Sequence, residues 1–187
     1  MIFSRVETKG FTRRDIGAED FDIDGRTITL DLGEFYFVNV YIPNYTAKAW
    51  SDTQTRNDWE TLFRKYLKKL DAVKPVIIAG NFIVAHKPID LAHPDKNRNR
   101  MGYRDDDRKN FSALVKAGFV DVFRELNPDL TGAYTWWSPR GNLREQNEGW
   151  RVDYFLTSER LFGRVTNATI ESEIFGTEHC PITLTLD

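Results

Sequence analysis

The chain has 187 residues, long enough for one domain with a substantial core, and 41% of them are hydrophobic, 13% aromatic and 29% charged. That balance excludes intrinsic disorder and collagen-like repeats, and the longest apolar run, near Pro75–Gly80, is far short of the ~20 residues a membrane-spanning helix needs. Twenty-six basic against 28 acidic residues leave a net charge of −2, so the overall balance gives no argument for a polyanionic partner. The single cysteine, Cys180, cannot close an internal disulfide, which suits a reducing, intracellular compartment, and Met1–Arg5 shows no signal-peptide pattern.

No internal repeat or Gly/Ser linker divides the sequence, which therefore reads as one domain over residues 1–187. Phe21–Leu32 alternates around Asp24-Gly25, a hairpin signal, with Thr27, Ile28, Thr29 and Leu30 favouring strand. A turn at Gly33-Glu34 leads into Phe35–Tyr41, a strongly β run. From Asp58 to Ala72, Trp59, Leu62, Phe63, Tyr66, Leu67 and Leu70 fall at helical spacing, with lysines on the opposite face. Pro75–Ala79 reads as a buried strand that ends at Gly80, and Lys87–Arg104 as a polar loop rich in Lys and Arg. Arg108–Ala117 is a short helix stopped by Gly118. Further strands are predicted over Tyr134–Ser138, Arg151–Thr157, Val165–Ile170 and Pro181–Leu186. This mixture predicts a layered α/β sandwich.

Polar, reactive residues stand at or near strand ends in four places: Tyr41 with Asn44, Asn81 with His86, Asp153, and Glu178 with His179. Strand ends are good places for a site, because a rigid sheet fixes the geometry of the loops leaving it. Spacing alone supports only a hydrolase-like α/β domain with a carboxylate–histidine pair and a divalent metal. On spacing alone Asp153 reads more often as a satisfied buried carboxylate than as a catalyst, and Trp136, Trp137 and Trp150 read equally as packing.

Longer strings carry more information. Tyr134-Thr135-Trp136-Trp137-Ser138, Gly149-Trp150-Arg151-Val152-Asp153-Tyr154-Phe155-Leu156 and His179-Cys180-Pro181-Ile182, with Asn39–Asn44 and Val84–Leu91, resemble the exonuclease III family. The resemblance runs in order from about Ile2 to Leu186. It implies a four-layer α/β sandwich of the endonuclease/exonuclease/phosphatase type and a Mg²⁺-dependent nuclease of DNA repair. The implied substrate is double-stranded DNA, cut at abasic sites and 3′ ends. Carried over position by position, the resemblance makes Tyr41 the tyrosine that stabilises developing charge, Asp153 the support of the histidine, and His179 that histidine. Asn44 becomes a phosphate contact, and Trp136, Trp150 and Val152 the apolar pocket for a flipped-out abasic sugar.

The departures from the family pattern shape the expectation. The Gly-Asp-x-Asn motif stands here as Gly80-Asn81-Phe82-Ile83, so a neutral amide replaces the aspartate thought to act on water. Glu178 replaces the aspartate before the histidine and is the one candidate metal ligand offered by the matching strings. The family's opening Asn-Gly and Gln-Glu strands, the latter with the principal metal ligand, do not appear in the sequence. The expectation is therefore a partial domain without those strands and their helix, impaired in catalysis, with an exposed sheet edge open to self-association. A catalytically dead DNA-binding module and a fragment of an interrupted gene are the alternatives.

Overall fold

The computed structural model describes residues 2–10, 16, 25–44 and 53–187. The first half of the predicted hairpin, Phe21–Asp24, lies outside them. Two strands, β1 (Thr27–Asp31) and β2 (Tyr36–Tyr41), form the antiparallel pair expected around Gly33. A 19-residue helix, α1 (Thr53–Asp71), then crosses to β3 (Val76–Asn81), which lies parallel to β2. This is the crossover that a parallel pair demands. After Asn81 come a short 3₁₀ turn at Pro88–Asp90, α2 (Pro94–Asn97) and α3 (Asp105–Lys116). The remaining elements are β4 (Phe119–Asp121), α4 (Val122–Leu126), β5 (Asp153–Ser158), α5 (Glu159–Phe162), β6 (Val165–Ile170) and β7 (Ile182–Leu186).

The strands make a five-stranded mixed sheet in the order β1-β2-β3-β5-β4 and a separate antiparallel pair, β6-β7. One face of the large sheet carries the main core. Val38, Val40, Val76, Ile78, Tyr154 and Leu156 project from alternate strand positions onto Trp59, Phe63 and Leu67 of α1 and Phe111 and Leu114 of α3. The α1 contacts recur at the i, i+4, i+8 spacing that the sequence shows. Helix α3 begins where Asp107 folds back to accept the backbone N–H groups of Gly102 and Arg104, and ends before Gly118 at φ +99°. The β6-β7 pair meets the rest of the molecule through β6 against α4, through β7 against β5, and through Ile170, which packs on the cluster of Tyr134, Trp137 and Cys180.

Two expectations need correction. Tyr134–Ser138 is not a strand: Trp136 makes isolated bridges to Trp150 and His179, and no ladder extends from them. The neighbouring Thr135 hydroxyl instead accepts the N–H groups of Val152 and Asp153. The Lys87–Arg104 segment is not all loop, since it contains the 3₁₀ turn and α2. The short elements β4, α4 and α5 are too brief to leave a period in the sequence.

Under the site lies a buried ion network. Arg151, 1% exposed, donates to Asp90 at 2.9 Å and to both oxygens of Asp121 at 2.9 and 2.7 Å, and Arg124 donates to Asp90 at 2.7 Å. Burial alone would raise the Asp90 pKa, but the two guanidiniums outweigh it and hold that carboxyl below its ordinary value. The network anchors the chain two residues before β5, where Asp153 begins the strand.

Candidate active site

Register brings three of the expected catalytic residues into one row. Tyr41 on β2 pairs with Asn81 on β3, which pairs with Asp153 on β5. Each stands next to a residue of the main core or the glycine facing it, so alternation turns all three to the other face of the sheet. The row is possible because Gly80 lets the strands approach: a Cβ there, at φ +148°, would lie 1.8 Å from the Val40 carbonyl oxygen.

Above the row opens a cleft of about 640 Å³, walled by Tyr41, Asn44, Asn81, Ile83, Asn99, Arg100, Met101, Arg104, Trp136, Leu143, Trp150, Val152 and His179, among others. All four residues expected to contact DNA therefore share one cavity with three of the five expected catalytic residues. Trp136 and Trp150 meet edge to face, ring centres 6.5 Å apart, and Trp136 leans on His179 at 6.4 Å. These rings and Val152 form an apolar slot beside polar donors. Tyr41 is exposed at the mouth, with the Arg26 guanidinium over its ring.

Asp153 stands behind His179. The imidazole Nδ1 donates to Asp153 Oδ2 at 2.7 Å, which fixes the tautomer and leaves Nε2 for whatever enters the cleft. Burial would lower the His179 pKa, but the Asp153 hydrogen bond and charge, assisted by Glu178, raise it above the ordinary histidine value.

Glu178 is placed differently from its neighbours. Its side chain is exposed and lines the adjacent groove with Trp137, Arg144 and Phe175, while its backbone carbonyl accepts the Trp137 N–H. Adjacent residues of an extended segment point to opposite sides, so His179 faces the cleft and Glu178 does not. It acts on the site as a nearby charge. His86, noted beside Asn81, also lies elsewhere: its ring is hydrogen-bonded to Ser112 at 2.8 Å on the α3 side.

Asn81 uses its carbonyl oxygen locally. Oδ1 accepts the Ile83 N–H at 2.8 Å, which leaves the amide Nδ2 as the group available to the cleft. With Arg100, Arg104, Asn44, Tyr41 and His179, this makes a wall of donors. Among the described residues the one carboxylate on the cleft wall, Glu148, lies 3.3 Å from His93. Sequence reading did not single out Arg100 and Arg104 as site residues, although both sit in the basic stretch it marked.

This donor set does not fit a magnesium ion. Mg²⁺ takes an octahedral shell of oxygens that includes one or two carboxylates. Among the described residues no group of three His, Cys, Asp or Glu side chains could hold a metal, Asp153 is committed to His179, and Asn81 Oδ1 is turned to the backbone. What the described residues can do is bind an anion: the cleft offers neutral and cationic donors, an oriented imidazole and an apolar slot.

The comparisons with known proteins concern the family and the fold. A family model described as the endonuclease/exonuclease/phosphatase family matches residues 1–175. An exodeoxyribonuclease of Bacillus subtilis is 42% identical over 172 residues, covering 92% of this chain and 68% of that protein. Recombination repair protein 1 of Drosophila melanogaster is 46% identical over 169 residues, 90% of this chain but 25% of its own length. Among solved structures, a Neisseria 3′ phosphatase bound to a product DNA hairpin superposes with a TM-score of 0.89 at 21% identity, over 98% of this chain and 73% of the other, a likeness of fold. This chain thus spans between a quarter and about two thirds of the two curated relatives. Family model and identity together show that the chain belongs to the endonuclease/exonuclease/phosphatase family, in its exonuclease III-like branch.

Proposed function

We propose that this chain recognises duplex DNA at an abasic site and holds the phosphodiester in the cleft without cleaving it efficiently. The observation that carries the reading is the amide at position 81. Asn81 stands in the row between Tyr41 and Asp153, and its oxygen is bonded to Ile83 N. A neutral amide takes no proton from water, and general-base assistance is worth ~10²–10⁴-fold in rate. Recognition is supported by the rest of the cleft. Arg100 and Arg104 face the phosphates, His179 Nε2 and Asn81 Nδ2 donate to the non-bridging oxygens, and the Trp136–Trp150–Val152 slot takes a base-less sugar by shape. Magnesium has no place in this reading, because the described donors do not make its shell.

A second reading, residual hydrolysis, rests on the intact Asp153–His179 pair at 2.7 Å. Self-association is also proposed, through β1: among the described residues it is an edge strand, with the Lys9 N–H bonded to its last carbonyl, that of Asp31. Binding and nicking of a duplex carrying one tetrahydrofuran abasic analogue, measured side by side, test the main reading. Salt-sensitive binding without incision supports it; robust incision abolished by His179→Ala favours the second reading, and absence of binding refutes both. Sedimentation over a range of concentrations tests self-association, which a single monomeric species would exclude.

A further inference from the structure

The segment that delivers His179 to the cleft has little to hold it. Residues 172–178 are all exposed and lack regular secondary structure. Among the described residues, every hydrogen bond from Ser172–Thr177 to the chain beyond residues 171–179 comes from one side chain, Arg144. Its guanidinium donates to the carbonyl oxygens of Ser172 at 2.8 Å, Ile174 at 2.7 Å and Thr177 at 3.1 Å. The same group lies between two aromatic rings, 4.6 Å from the centre of Trp137 and 4.3 Å from that of Phe175.

We infer that Arg144 is a positioning residue: it clamps the 172–177 loop against Trp137 and so holds His179 in hydrogen-bonding register with Asp153. The connection is short. Thr177, whose carbonyl Arg144 grips, exchanges hydrogen bonds with the backbone of His179 through its hydroxyl, at 3.0 and 3.1 Å. On the other side Trp137, against which Arg144 stacks, takes the Glu178 carbonyl at 3.0 Å. Arg144 thus grips the chain on both sides of the turn that ends at the histidine. Only a planar, multi-donor cation does this: a guanidinium bonds in its plane and stacks with its faces, whereas an ammonium is a point charge on a flexible stem. The charge is spent on carbonyl dipoles and rings within the protein.

Its effect on DNA rests on the proposed reading of the cleft, but its effect on His179 does not. The test reads the two separately in the full chain. Ring nitrogen NMR of the unaltered protein should show a protected His179 Nδ1–H held by Asp153. In Arg144→Ala and in Arg144→Lys that signal should be lost or exchange-broadened while the unfolding midpoint stays within a few degrees, because the clamp lies in an exposed loop. Affinity for the abasic-analogue duplex should fall roughly tenfold, the scale of one charged-group hydrogen bond. A His179 signal unchanged in folded Arg144→Ala, or full rescue by lysine, would overturn the clamp. A lost signal in a protein that never bound DNA would uphold the clamp and sink the DNA reading instead. Should Arg144→Ala fail to fold, Arg144→Lys and Phe175→Ala decide, since each removes part of the clamp and leaves the main core untouched.

Discussion

Asn81 Oδ1 accepts the backbone N–H of Ile83 at 2.8 Å, and Ile83 holds φ at +50°. The two facts belong together: the side chain of one residue folds the backbone of the next-but-one into a left-handed turn. Asparagine tolerates that region, whereas a β-branched residue there is strained. Ile83 therefore occupies a backbone suited to another residue, at the rim of the cleft.

Ile83→Asn should consequently stabilise the fold, by about 1 kcal/mol, because the strain of a left-handed non-glycine residue is of order 1–3 kcal/mol. Thermal unfolding measures it. A lower midpoint for the variant would show that the apolar contacts of Ile83 outweigh its backbone cost.

How much of this was legible beforehand depends on the length of the signal. Strands β2, β3 and β5 announced themselves as apolar runs, and α1 by Trp59, Phe63 and Leu67. The alignment of Tyr41, Asn81 and Asp153 across three strands was not, because register between strands distant in sequence leaves no local trace; motif resemblance supplied the residues and the sheet supplied the row. Glu178 was placed at the site because it precedes His179, yet extended backbone sends neighbouring side chains to opposite sides. Arg144 was not singled out, since an arginine in a polar loop reads as solvated until the carbonyls around it are seen. The Tyr134–Ser138 strand failed for a related reason: its aromatic content satisfied a β pattern while Thr135 spent its hydroxyl on the start of β5.

The buried network makes a second prediction. Arg151→Met removes the only guanidinium within hydrogen-bonding distance of Asp121 among the described contacts, leaving that carboxylate nearly buried while Arg124 keeps Asp90. Breaking one partner of a buried ion pair costs about 3–5 kcal/mol. Denaturant unfolding of the variant measures the loss; a loss below 1 kcal/mol would mean that the network contributes little.

The raised pKa of His179 sets a pH window for binding. Its charged form offers two N–H donors, one held by Asp153 and the other facing the cleft. A histidine pKa raised by folding contributes stability that is fully present below the unfolded value of about 6.5 and is lost as pH rises through the folded value. A phosphate in the cleft favours the same charged form. Affinity for the abasic-analogue duplex should therefore decline as pH rises through that raised value, and His179→Gln should flatten the profile. A flat profile in the unaltered chain would place the imidazole outside the binding contact.

The final prediction concerns metal and catalysis together. With Asn81 Oδ1 turned to the Ile83 N–H and Glu148 the lone carboxylate on the cleft wall among the described residues, magnesium finds no shell there, so DNA affinity should be no stronger in Mg²⁺ than in EDTA at matched ionic strength. The double change Asn81→Asp, Ile83→Asn restores a base and a polar neighbour in the same turn. A base is worth ~10²–10⁴-fold where the rest of the machinery stands ready. Here the row's other carboxylate, Asp153, remains bonded to His179 at 2.7 Å, so the added one works largely alone. It also places a negative charge where Asn81 offered a donor, so binding in EDTA should weaken several-fold, and Mg²⁺ should recover part of the loss. Incision should remain near background in both proteins. Fluorescence anisotropy in EDTA and in Mg²⁺, with gel-resolved nicking of the same duplex, measures all of these. Tighter binding of the unaltered chain in Mg²⁺, or strong Mg²⁺-dependent nicking by the double variant, would show that the described residues hold a metal after all.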